Sequence, residues 1–91
     1  MQAGTEAIMI HDRSEPVNWA EISIQEILER AIADEIEARD YYKHAAECAG
    51  AAHTRRILLN LSEMEQGHAD ELQKELNDLL WQRDLEAGMA D

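Results

Sequence analysis

In the stretch SEMEQGHADEL, residues 62–72, Glu65 and His68 fall on the stripe where the neighbouring leucines point, and thirty residues earlier Glu35 interrupts another apolar stripe. Carboxylate oxygens and an imidazole nitrogen suit iron(II), manganese(II) and zinc, and the missing thiolates argue against copper(I) and iron–sulfur clusters. An unpaired carboxylate in an apolar seam costs several kcal/mol, so something positive must meet these groups. The simplest alternative is an ion pair. Arg39, four residues after Glu35 and about 40° round the helix, is the natural partner for Glu35. No basic residue at helical spacing on their own seam serves Glu65 and His68. The ion pair therefore accounts for one of the three residues, and a bound metal accounts for all of them.

Two helices are needed to position them. Ser23 and Glu26 form a capping-box signature ahead of an apolar-periodic run, so a first helix is expected over 24–49. Its seam runs from Ile24 through Leu28, Ala31, Glu35, Ala38, Tyr42 and Ala45 to Ala49 at steps of four and three, and Gly50 follows as a helix-ending glycine. A second helix is expected over 52–82, with a seam of Leu58, Leu61, Glu65, His68, Leu72, Leu76 and Leu79. Residues 1–22 read as a flexible arm and 84–91 as a tail or short helix, leaving a helical hairpin over 23–83.

A short loop makes the two helices antiparallel neighbours. Glu35 stands fifteen residues before Gly50 and Glu65 fifteen after it, so both lie about 22 Å from the bend and face each other. His68 is one turn further along the same face. Glu-x-x-His beside a level-matched Glu is half of a carboxylate-bridged two-metal centre, which takes Glu-x-x-His from two helices and one Glu from each of two others. Two hairpins related by a twofold axis supply the full set. The expected fold class is thus all-α: an antiparallel two-helix hairpin that dimerises into a four-helix bundle. A second apolar stripe of Ile32, Ile36, Ile57, Met64 and Leu80, which one hairpin leaves uncovered, also calls for subunit contacts.

Composition narrows the field. With 91 residues the chain forms at most one domain, too small to be comfortable alone. Twenty acidic residues against eight basic ones give a net charge of -12, which excludes nucleic acid and an anionic membrane surface as partners. Such a field attracts cations, although an acidic surface commonly serves solubility alone. There is no apolar run of about 18 residues to span a bilayer. The start, MQAGTEAIMIHDRSEP, lacks the basic and apolar regions of a signal peptide, so the expected location is cytoplasmic. The single cysteine, Cys48, is expected to be a small buried residue near the bend, and His11, His44 and His53 to be surface imidazoles.

The run Glu35-Ile36-Glu37-Ala38-Arg39-Asp40-Tyr41-Tyr42 resembles the E-x-x-A-R-x-x-Y helix of rubrerythrin and its ferritin-like relatives, and Glu65-Gln66-Gly67-His68 matches their E-x-x-H. A single ferritin-like half of this length, matched over about residues 24–80, most resembles the encapsulated ferritins, the cargo of encapsulin shells. The resemblance implies a ferritin-like bundle in which Glu35, Glu65 and His68 bind two irons per dimer, with manganese or zinc as substitutes. It also implies Tyr42 as a phenol beside the metals, and an iron entry site at Asp34, Glu37 and Tyr41. On the residues alone, Tyr42 is also an ordinary core tyrosine, and Asp34 and Glu37 are ordinary surface charges. The implied assembly is a ring of dimers, a decamer, with an encapsulin nanocompartment around it. Cargo peptides carry a short apolar signature that RDLEAGMAD does not show, and Cys48 alone cannot supply rubredoxin's paired Cys-x-x-Cys motifs. Three readings stay open: a ferroxidase for iron storage and detoxification, a peroxide-reducing di-iron protein, and a non-catalytic helical oligomer stapled by metal.

Overall fold

The computed structural model describes residues 22–89, so the expected arm lies, apart from Ile22, outside the described residues. Two helices and no strand make up this part: α1 over Ile24–Cys48 and α2 over Ala52–Met89. The all-α hairpin expected from periodicity is the fold observed. No helix is long and apolar enough to cross a membrane, among the described residues.

Helix α1 begins at its capping box. The Ser23 backbone N–H donates to Glu26 Oε1 at 3.0 Å, and the Glu26 N–H donates to Ser23 Oγ at 3.1 Å. Both donors would otherwise be left unpaired at the helix start. The other end corrects an expectation. Gly50 follows the helix, yet no glycine among the described residues has a positive φ. Ala49 turns the chain into extended backbone instead (φ -73°, ψ 135°), and its N–H donates to the Ala46 carbonyl at 3.2 Å. Arg55 then reaches back from α2, its Nη2 donating to the Ala49 carbonyl at 3.0 Å. A guanidinium at a helix C-terminus pairs an orphan carbonyl and complements the helix dipole, the work the sequence assigned to glycine.

Helix α2 passes its expected end near residue 82 and continues to Met89. No proline or glycine interrupts Trp81 to Ala87, and Arg83 Nη1 donates to Gln25 Oε1 at 2.8 Å, tying this end to the start of α1.

The expected α2 seam holds at Leu76, but nearer the site the buried line lies one residue on from it, at Ser62 and Ala69 in place of Leu61 and His68. Ser62, Ala69 and Leu76, each seven residues from the next, are the buried positions of α2, and Ala46 at 1% exposure is the buried position of α1. Leu61 and His68 instead flank that line, and Ala45 is only half-buried. Small side chains explain the choice. Ser62 Oγ donates to the Arg39 backbone carbonyl at 3.0 Å, an approach that a leucine there would prevent. The bulkier Leu61 and His68 are thereby turned to the edge.

Little is buried by this seam. The hairpin measures 61 × 30 × 14 Å, and a helix with its side chains is about 10–12 Å across, so the molecule is one helix thick. Stable domains close a core between two layers. Here Ile57, Met64, Leu80 and Trp81 are exposed, Trp81 by 63%, while Ile32 and Ile36 are half-buried. Cys48 is also exposed rather than buried, with its Sγ 3.8 Å from His44 Nε2.

Candidate metal centre

Glu35 arrives from the middle of α1, and Glu65 and His68 from successive turns of α2. Each offers a ligand atom, and these atoms all lie within 4.8 Å of one another. His68 Nδ1 is 3.5 Å from Glu35 Oε1 and 3.4 Å from Glu65 Oε1. Donors about 2.0–2.2 Å from a shared ion stand at most about 4.4 Å apart, so small side-chain movements suffice to close the set round a cation. No other cluster of three such donors occurs among the described residues.

The carboxylates sit back and the imidazole stands forward. The Glu35 and Glu65 side chains retain 27% and 20% exposure, against 51% for His68. A groove of about 500 Å³ opens in front of Glu35 and His68, walled further by Glu71, Leu72, Lys74 and Glu75. Glu71 therefore borders this opening. The shift of the seam produces the arrangement: with Ala69 taking the buried position, His68 faces outward while Glu65 remains beside Glu35.

Charge in the site is frustrated. A hydrogen bond with Glu65, partial burial and the charge of Glu65 raise the Glu35 carboxyl above its ordinary value of 4.5, against the opposing pull of His68. A hydrogen bond with Glu65 and the charges of both carboxylates raise His68 above 6.5, despite some desolvation. Both shifts favour the protonated forms of Glu35 and His68 in the metal-free protein. A divalent cation takes the place of these protons and releases them on binding.

Arg39 does not neutralise Glu35. Its Nε and Nη2 each lie 2.8 Å from Asp40 Oδ1, and its Nη1 donates to Gln66 Oε1 at 2.7 Å. The ion-pair alternative is therefore overturned by geometry, and Glu35 instead meets His68 and Glu65.

Of the remaining residues implied by resemblance, Asp34 and Glu37 are not among the three gathered donors. Tyr42 is half-buried two turns along α1 from Glu35, its ring edge-on to Tyr41 with centroids 5.6 Å apart and planes at 69°. Tyr41 is largely exposed, Glu37 is exposed and Asp34 is half-buried. Positions 34, 37 and 41 share a face of α1 at helical spacing. The Arg39–Gln66 contact escaped the sequence reading altogether. Its only signal was the proximity of Gln66 to a level-matched pair, since two residues 27 apart carry no periodic mark.

Comparison with known proteins adds one match. The family model described as rubrerythrin matches residues 26–89, more than half of the chain and the whole of the site. No curated protein and no solved structure matches the chain.

Proposed function

The chain belongs to the rubrerythrin family, and on that premise we propose that it is a ferroxidase, oxidising iron(II) to iron(III) with dioxygen at a centre shared by two copies. The observation that carries this reading is the gathering of Glu35, Glu65 and His68 within 4.8 Å at the open face of a hairpin only one helix thick. A second hairpin laid on that face supplies the missing layer. It also brings the donors to four carboxylates and two imidazoles, the complement of a two-metal carboxylate centre.

Iron(II) is the substrate in this reading, and bound iron supplies the one-electron chemistry. The chain's residues do the rest. Glu35, its carboxyl raised, gives up its proton more readily as the cation enters, and the paired negative charge of Glu35 and Glu65 favours the more highly charged product. His68 binds as neutral imidazole after shedding its proton. Glu71 and Glu75 at the groove keep the approach electronegative. Leu80, Trp81 and Leu85 lie about 18 Å or more along α2 from His68. They are exposed apolar surface suited to joining dimers into a ring.

The test is iron-dependent oxygen consumption by wild type and by Glu35→Ala, with solution mass followed alongside. Loss of turnover with the assembly retained is expected, and unchanged turnover rejects the proposal. Membership of the family equally favours a peroxide-reducing reading. Faster oxidation of the anaerobically loaded protein by hydrogen peroxide than by dioxygen selects that reading instead.

A further inference from the structure

Two carboxylates that repel each other face across a seam whose buried apolar residues are Ala46, Ala69 and Leu76. Two of these three are alanines, which offer few interlocking atoms, so the seam beside the site fixes the register less sharply than directional polar bonds do. On the back of the hairpin, away from the groove, a polar chain crosses between the helices at the level of the site. Asp40 takes Nε and Nη2 of Arg39, leaving Nη1 to donate to Gln66 Oε1 at 2.7 Å. Asp70 Oδ1 accepts from Gln66 Nε2 at 2.9 Å, which turns Oε1 toward Arg39. Ser62 Oγ adds its 3.0 Å bond to the Arg39 carbonyl.

Arg39 stands one turn beyond Glu35 on α1, and Gln66 directly follows Glu65 on α2. We propose that the Arg39–Gln66 bridge is the positioning device of the metal centre, fixing the register of α1 against α2 so that Glu35 and Glu65 remain level. Neither residue touches the metal donors in this arrangement; the bridge acts through the helices that carry them. Charge-assisted bonds of this kind are short and directional, which apolar contacts are not. The inference rests on the metal-centre reading above and is tested separately from it.

The probe is cobalt(II), whose visible absorption reports its coordination geometry, titrated into the full-length protein. Gln66→Met keeps size and helix propensity while removing the acceptor. It is expected to weaken cobalt binding about tenfold, the lower end of losses seen when groups supporting metal ligands are changed, and to alter the cobalt spectrum while helix content stays constant. Gln66→Glu retains an acceptor for Arg39, with the exposed Asp70 free to swing into solvent, and is expected to keep wild-type affinity within about twofold. Arg39→Met should match Gln66→Met, and the double variant should be no worse than either single one.

Wild-type affinity and spectrum in Gln66→Met overturn the bridge, as do equal losses in Gln66→Glu or additive losses in the double variant. If those results appear while Glu35→Ala abolishes binding, the metal centre stands and only the bridge falls. If wild type itself binds no cobalt, the metal centre falls and the bridge falls with it.

Discussion

Glu35 on α1 and His68 on α2 are thirty-three positions apart in the chain, yet their carboxylate oxygen and imidazole nitrogen stand 3.5 Å apart. The hairpin that carries them is tied at both ends. Arg55 secures the end of α1 near the bend, and Arg83 joins α2 to Gln25 at the far end. Between them the donors face outward through His68, so the site is both formed and open.

Protonation links this contact to pH. Glu35 and His68 are both raised in the folded, metal-free protein, above 4.5 and 6.5 respectively. Each stabilises the fold fully below its unfolded value, and that contribution is lost as pH rises through the folded value. The urea midpoint of metal-free protein should therefore fall as pH rises from below 4.5 to above 6.5, modestly because the groups are partly solvated. Glu35→Gln should flatten the lower part of this dependence relative to wild type. Metal affinity should move the other way, increasing over the same range as the ligands shed protons.

Seam packing is tested by Ala69→Leu. Ala69 is only 4% exposed between the helices, and added bulk at such a position costs about 1–3 kcal/mol. The urea midpoint should fall. Metal affinity should fall with it, because separating the helices draws Glu65 away from Glu35.

Met64 and Ile57 are exposed on α2, about one and three turns before the His68 level and nearer the bend. Aspartate at both positions places charge on the face assigned to the second copy, and burying it unpaired costs several kcal/mol. Solution mass should shift to single chains, and bound metal per chain should decrease. If zinc restores mass and stability in unsubstituted protein as fully as iron while no oxygen is consumed with either, metal serves as a staple alone.

Gly67 occupies the helix between the two α2 ligands, and a Cβ built there meets nothing within 4 Å. The hairpin's own packing therefore does not require it. Gly67→Ala should raise the stability of the chain by about 1 kcal/mol, measured by urea unfolding, with cobalt affinity unchanged.

Much of the hairpin is written locally in the sequence. The Ser23–Glu26 box marks the start of α1 because capping depends on four neighbouring residues. Glu35 and Glu65 come to about the same level because a fixed rise of about 1.5 Å per residue is counted in both directions from a short bend. The end of α2 was less legible, since nothing between Trp81 and Ala87 breaks a helix and the bond from Arg83 to Gln25 is a contact between distant residues.

Which line along α2 becomes the seam was decided only by tertiary structure. An amphipathic stripe is at least about 100° wide, so Leu61 with His68 and Ser62 with Ala69 lie within one residue's rotation of each other. A helix considered alone does not choose between them. The choice depends on the volume of the opposite helix, where Ala46 and the Arg39 carbonyl admit small side chains and exclude large ones. The same interaction gave Arg39 to Gln66 rather than to Glu35. Sequence therefore determined that two carboxylates and a histidine share a level and a side. Packing between the helices determined that the histidine faces out and that Glu35 is left for it to meet.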